Sequence, residues 1–269
     1  MKKTIALILA LVLALSLAAC GGKNEAAADK TITVAASPTP HAEILSSVAQ
    51  VLADKGWTLE IKEYTDYVQP NNVVEDGEID ANYFQHVPYL DTFNAENGTH
   101  LVSVAAIHYE PFAIYPGTKV HLEDLVAGDK IAVPNDGSNR ARALMLLEDA
   151  GLIKLAEGVG MQATVLDIVE YSVDVKIIEM EAAQLANIRD DVAFAVINGN
   201  YALHAGLFAG NDGIWVEDPA NANVYANVLV VKEGNENSEK TKALIAALQS
   251  ETVQQYLETV YPGSVVPCF

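Results

Sequence analysis

Two cysteines in 269 residues, Cys20 and Cys268, leave little cysteine chemistry open. A disulfide framework and a cysteine metal cluster are excluded, and so is a Cys/His nucleophile pair once Cys20 is assigned to the leader described below. Cys268, next to the C-terminus, reads as an incidental free thiol. Positive charge is scarce too: 16 Lys and Arg face 36 Asp and Glu, for a formal net charge of -20. Such a surface repels phosphate backbones, which excludes nucleic acid as a partner. Arginine is limited to Arg140, Arg142 and Arg189. The six histidines show no H-x-x-x-H pairing, and no G-x-S-x-G, H-E-x-x-H or Walker pattern occurs, so no catalytic nucleophile with its base is recognisable, no cofactor is expected and the chain does not read as an enzyme. Disorder is excluded by an apolar content of 51%.

The one long apolar run, residues 5–17, is too short to span a bilayer, which takes about 20 residues. Preceded by Lys2 and Lys3 and followed by Leu17-Ala18-Ala19-Cys20, it has the form of a secretory leader. The cysteine at the cleavage point resembles the lipobox of bacterial lipoproteins. That resemblance implies a signal peptide over residues 1–19, a lipid on Cys20 and an acylated amino group, as in palmitate-bearing lipoproteins. An ordinary secretory peptide with a chance cysteine is the alternative. Residues 20–30 then form the lipidated cysteine and a flexible tether of small and polar residues.

Beyond the tether, short β-branched runs alternate with helical patterns, which predicts an α/β fold with mostly parallel sheets. Strands are expected at residues 31–35, 58–64, 101–106, 130–134, 175–179 and 192–197. Helices are expected at 41–55, 71–75, 139–150 and 239–249, with a short one near 182–188. Gly158-Val159-Gly160-Met161-Gln162-Ala163 matches G-x-G-x-x-A but lacks a preceding strand, so it reads as a loop. Prolines interrupt the strand-like run at 109–116, and another strand starts after Pro219. If the chain crosses at both places, residues 31–113 plus 227–269 form lobe I, residues 114–226 form lobe II, and the cleft between them is the natural ligand site.

Candidate binding residues fall into two groups. Residues 64–91 mix the rings of Tyr64, Tyr67, Tyr83, Phe84, His86 and Tyr89 with Asn71, Asn72, Asn82 and Gln85. The mixture suits either a pocket with oriented polar groups or a core with turn residues. Arg142, placed in the first turn of the helix starting near Asn139, would combine a fork of donors with a helix N-terminus to grip a carboxylate through two hydrogen bonds. The alternative is that Arg140 or Arg142 pairs with Glu148 or another surface acid. Asn198 and Asn227 end or begin apolar strands and could serve a zwitterion, although each amide also suits a turn or cap. His86, His108 and Glu110 could meet as metal ligands.

Several motifs resemble those of the methionine-binding lipoproteins of ABC importers, the NlpA/MetQ family. They are Asp66-Tyr67-Val68, Pro70-Asn71, Gly77-Glu78-Ile79-Asp80-Ala81-Asn82, Phe84-Gln85-His86, Pro88-Tyr89-Leu90, Val133-Pro134-Asn135-Asp136 with Asn139 and Arg142, Gly151-Leu152-Ile153-Lys154-Leu155 and Ala195-Val196-Ile197-Asn198. The likeness runs over residues 31–266. It implies a two-lobed periplasmic-binding-protein fold of type II kind with two hinge crossings. It also implies capture of methionine, lipid anchoring on the extracytoplasmic face of the cell membrane, monomeric behaviour and delivery to a permease driven by an ATPase. By position, Arg142 would hold the ligand carboxylate, Asn198 and Asn227 its amino and carboxylate groups, and Tyr67, Phe84 and His86 the side chain. Tyr89, His108 and Asn139 complete the implied site. A Met-containing dipeptide, another apolar amino acid and a delivered metal are the rival cargoes.

Overall fold

The computed structural model describes residues 30–269. The expected signal peptide, Cys20 and nearly all of the tether lie outside the described residues. The strands, in chain order, are β1 Thr31–Ala36, β2 Thr58–Glu63, β3 Ala81–His86, β4 Leu101–Tyr109, β5 Ala113–Pro116, β6 Lys130–Pro134, β7 Ile153–Leu155, β8 Ile168–Tyr171, β9 Lys176–Met180, β10 Phe194–Ile197, β11 Trp215–Val216, β12 Asn227–Lys232 and β13 Val266–Pro267. They build one sheet in the order β13-β4-β12-β3-β1-β2, a second in the order β11-β5-β10-β6-β9, and a small β7-β8 hairpin.

Each large sheet keeps its most buried strands in the middle, where both faces are covered: β12 and β10 answer with apolar runs, and β3 with rings and mutually hydrogen-bonded amides. All six residues of β3 are buried, as are Asn227 to Val231 of β12 and all four of β10. The helices Glu43–Ser47 and Glu239–Leu248 pack Ile44, Leu45, Leu244 and Leu248 with Ile32 and Val34 of the first sheet. On the second sheet, the helix Gly137–Asp149 packs Ala141, Leu144 and Leu147 with Ile131, Val133 and Phe194. That helix ends at Gly151, whose φ of +72° is a conformation that favours a residue without Cβ.

The chain passes between the sheets twice. Glu110, Pro111 and Phe112 link β4 to β5, and residues 217–226 link β11 to β12. The fold is therefore two-lobed with two crossings. Among the described residues, no helix is long and apolar enough to cross a membrane.

Three expectations need correction. The sheets are mixed: β1 pairs with β2 and β3 in parallel and β6 with β9 and β10 in parallel, but β12 runs antiparallel to both β3 and β4, and β5 antiparallel to β10. Strands that enter a sheet directly from a crossing carry no covering helix and so need not run parallel. The expected helix at 41–55 is broken at Val48 into Glu43–Ser47 and Ala49–Ala53, where Ser46 and Ser47 donate to the carbonyls of Ala42 and Ile44. The helix carrying Arg142 begins at Gly137, two residues early, which moves Arg142 into its second turn. The G-x-G-x-x-A segment is a loop with one 3-10 turn, as expected.

Candidate functional site

A narrow, partly open cavity lies between the sheets. Its lining comprises Tyr67, Phe84, Gln85, His86 and Tyr89 from β3 and the segments before and after it, Glu110 from the first crossing, Asn227 from the start of β12, and Asn139, Arg142, Asn198, Gly199 and Asn200 from the helices that follow β6 and β10 and the residue capping the latter. Eight of the nine ligand-binding candidates therefore share one cavity. His108, the ninth, stands behind the wall: its Nε2 is 2.6 Å from Glu110 Oε1, and its Nδ1 meets the Tyr83 hydroxyl.

The rings form a partial cage. Tyr67 lies 5.7 Å from Phe84, 5.6 Å from Tyr89 and 5.0 Å from Tyr201 between centroids. These tilted and edge-on arrangements are the favoured ones for aromatic pairs. The amides that share this stretch of sequence do a separate job. Asn71, Asn82 and Gln85 hydrogen-bond one another in the interior, Gln85 Nε2 donating to Asn71 and Asn82 while Asn82 Nδ2 donates to Asn71 and the Pro70 carbonyl. Tyr83 points to the opposite side of β3, among the buried core of the first sheet.

Hydrogen bonds fix which atom each polar side chain shows to the cavity. His86 Nδ1 accepts from the Tyr89 N–H, so its proton sits on Nε2, which donates to Asn139 Oδ1 at 3.0 Å. Burial and the nearby Arg142 push the His86 pKa down to about 3, so the ring stays neutral. Asn139 Oδ1 also accepts from Asn198 Nδ2, and Asn139 Nδ2 donates to Asp136, which caps the helix. Asn198 Oδ1 is left as a buried acceptor with no partner. Across the cavity, His41 Nε2 donates to Asn227 Oδ1 at 2.9 Å, which leaves the Asn227 amino group as the free end of that amide.

Arg142 does not present the expected fork. Its Nε and Nη2 form a bidentate pair with the Glu217 carboxylate at 2.9 and 2.5 Å, and Nη2 also donates to the Glu110 carbonyl. The guanidinium lies 4.0 Å from the Tyr225 ring centroid and 4.7 Å from that of Phe112. Every one of these partners belongs to a crossing segment, so Arg142 clasps both crossings. Only Nη1 has no hydrogen bond within the protein. The helix N-terminus is filled by Asp136, which removes it as a ligand anion site. Arg140 pairs with the part-exposed Glu179, which matches the alternative of a surface acid, whereas the acid that meets Arg142 is buried.

The sequence offers Glu110 only as a metal ligand with His86 and His108. In the fold, His41 takes the place of His86: its Nε2 is 3.5 Å from Glu110 Oε1. Burial raises the Glu110 pKa, opposed by His41, Arg142 and the Asn200 N–H. Gly199 is needed beside it, because a Cβ there would lie 2.5 Å from the Glu110 Cβ. Glu217, Asn200 and Tyr225 escaped the sequence reading. The prolines at both crossings were the available signal, since an acid inside an interrupted apolar run is costly unless it is paired.

Residues 32–269 match the profile of the family described as NlpA lipoprotein. The chain is 42% identical over 274 residues to the methionine-binding lipoprotein MetQ of Bacillus subtilis, covering 99% of each. A solved structure of a nutrient-binding protein from Burkholderia cenocepacia bound to methionine is similar with a TM-score of 0.85 and 40% identity, over 88% of this chain and all of that one. A periplasmic substrate-binding protein of an ABC transporter from Coxiella burnetii is similar with a TM-score of 0.83 and 37% identity, over 88% of this chain and all of that one.

Proposed function

The chain belongs to the NlpA lipoprotein family, and on that premise we propose that it is an extracytoplasmic solute-binding lipoprotein that captures methionine in the cavity between its sheets and delivers it to an ABC permease. The observation that carries this reading is the buried, unpartnered Asn198 Oδ1 on the same cavity as Arg142. An orphaned acceptor calls for a ligand donor, and the free Nη1 calls for a ligand acceptor. An amino acid supplies both, as ammonium and carboxylate.

In this reading Asn198 Oδ1 and the Glu110 carboxylate receive the ammonium, while Arg142 Nη1 and the Asn227 amino group receive the carboxylate. Tyr67, Phe84, His86 and Tyr89 surround the thioether, whose polarizable sulfur favours ring edges and faces. Asn139 holds His86 and Asn198 in place, and His108 supports Glu110 from behind. The lobes are residues 31–113 plus 227–269 and residues 114–226, a division supported by the sheet each strand joins apart from Ala113, which already pairs in β5 of the second sheet. Three bonds clasp the lobes across the cavity: Tyr67 to Asn200, Tyr201 to the Thr65 carbonyl and His86 to Asn139. Lipidation of Cys20 anchors the monomer beside its permease and ATPase partners.

Isothermal titration tests the cargo directly. After unfolding and refolding to strip bound solute, methionine should give one-to-one heat with a Kd near micromolar or tighter, about 8 kcal/mol. Met-containing dipeptides should bind more weakly. Absence of heat with methionine would refute the assignment.

A further inference from the structure

Behind the cavity wall, His41, His108 and Glu110 bring two imidazole nitrogens and a carboxylate oxygen within 4.8 Å of one another. They come from three separate places, the segment after β1, β4 and the first crossing, and all are buried. We propose that this cluster is a site for a divalent first-row transition ion, zinc foremost, held by His41 Nε2, His108 Nε2 and the Glu110 carboxylate.

Two imidazoles and a carboxylate form a donor set typical of zinc with an open fourth position. The separation of His41 Nε2 from Glu110 Oε1, 3.5 Å, suits ligands about 2.0–2.1 Å from a shared tetrahedral ion. The closer His108–Glu110 pair at 2.6 Å is held by a proton, which the ion replaces as the pair opens slightly. In the metal-free fold each Nε2 carries a proton, donated by His41 to Asn227 Oδ1 and by His108 to Glu110, and the ion takes its place as that proton moves to Nδ1, which is unpartnered in His41 and faces the Tyr83 hydroxyl in His108. The Tyr83 hydroxyl at His108 Nδ1 orients that ring as outer-shell partners of metal-bound histidines do. Asn227 Oδ1, 2.9 Å from His41 Nε2, offers a fourth oxygen. Glu110 and Asn227 line the cavity, so an opened cleft gives the ion its path.

The site rests on geometry alone and stands whether or not the cargo is methionine. Where the cargo reading also holds, the two ligands compete, because Glu110 serves only one cation at a time.

Cobalt(II) titrated into the full-length, EDTA-dialysed protein in detergent provides the test. An intense visible spectrum of four-coordinate cobalt should develop to one equivalent and be erased by one equivalent of zinc. His41→Gln and His108→Gln should each weaken cobalt binding at least tenfold, and His121→Gln, at an exposed histidine, should leave it unchanged. Zinc at one equivalent should raise the apparent Kd of methionine at least fivefold in the wild type and not in His108→Gln. Only the pale six-coordinate spectrum of cobalt on surface carboxylates in the wild-type protein would overturn the site, and that measurement does not depend on any variant folding. An intense spectrum that survives both histidine variants would overturn it equally.

Discussion

Removing the Arg142 side chain disturbs two things at once, and a double-mutant cycle with Glu217 separates them. Both residues are 5% exposed and joined by two hydrogen bonds. Deleting either partner strands a buried charge, at a cost of about 3–5 kcal/mol. For a domain of this size each kcal/mol moves Tm by roughly 2–4 °C, so Arg142→Met should melt about 6–20 °C below wild type in the absence of ligand. Glu217→Gln should lose somewhat less, since Gln still accepts from the Tyr109 hydroxyl that meets Glu217 at 2.6 Å. The double variant carries no stranded charge and should recover much of the loss, giving a coupling energy of about 2 kcal/mol or more. Binding behaves differently. Arg142 Nη1 is assigned one charge-assisted bond to the ligand carboxylate, worth about 1.5–3 kcal/mol, so methionine affinity should fall roughly 10- to 150-fold in Arg142→Met. It should stay low in the double variant. Circular dichroism melts and isothermal titration on all four proteins measure both quantities. A double variant that binds methionine within twofold of wild type, or a coupling near zero, would refute the reasoning.

Three further outcomes follow from the same geometry. Asn198→Ala should weaken methionine binding by about 1–2 kcal/mol, close to tenfold, yet affect 4-(methylthio)butanoate far less, because that analogue lacks the ammonium assigned to Oδ1; equal losses for both compounds in titration would remove Asn198 from that role. Tyr67→Phe deletes the 2.5 Å bond to Asn200 across the cleft and should speed methionine release three- to tenfold in stopped-flow displacement, with an unchanged rate counting against the clasp. Stability should also fall on acidification. His41, His86 and His108 have folded-state pKa values of about 4, 3 and 3, below the ordinary 6.5. Above pH 6.5 they contribute nothing, but below it the unfolded chain takes up protons that the native protein refuses. Each then withdraws about 1.4 kcal/mol per pH unit until its own folded value is reached. Glu110 and Asp136, raised by burial, act in the opposite sense and offset part of this loss. Melts of the ligand-free protein should show Tm falling from pH 7 to 5, with a smaller slope in His108→Gln; a flat profile in the wild type would contradict the burial of three neutral imidazoles.

Much of this protein is legible without a structure because local rules act alone there. β-branched runs such as Val228 to Val231 and Phe194 to Ile197 form buried strands wherever they sit, and the alternation with helices sets the α/β class. The order of motifs placed the chain in its family, and eight of nine candidate residues came together on one cavity. Helix ends were less legible, since the Asp136 cap and the serines that break the helix after His41 act through hydrogen bonds that apolar spacing does not encode.

The distribution of buried charge was decided only by tertiary structure. Composition says that arginine is rare and that acids are plentiful, and it says nothing of which acid meets Arg142. That choice depends on two crossings, 110–112 and 217–226, being brought to one helix by the pairing of β5 with β10 and β12 with β3. The same folding puts His41, rather than His86, beside His108 and Glu110, across 67 and 69 residues of chain. Electrostatic partners of this kind are set by distance in space, and their energies rise steeply as water is excluded. Sequence determined the fold class, the family and the types of residue at the site; the fold alone determined which atom of each residue is left free for a ligand.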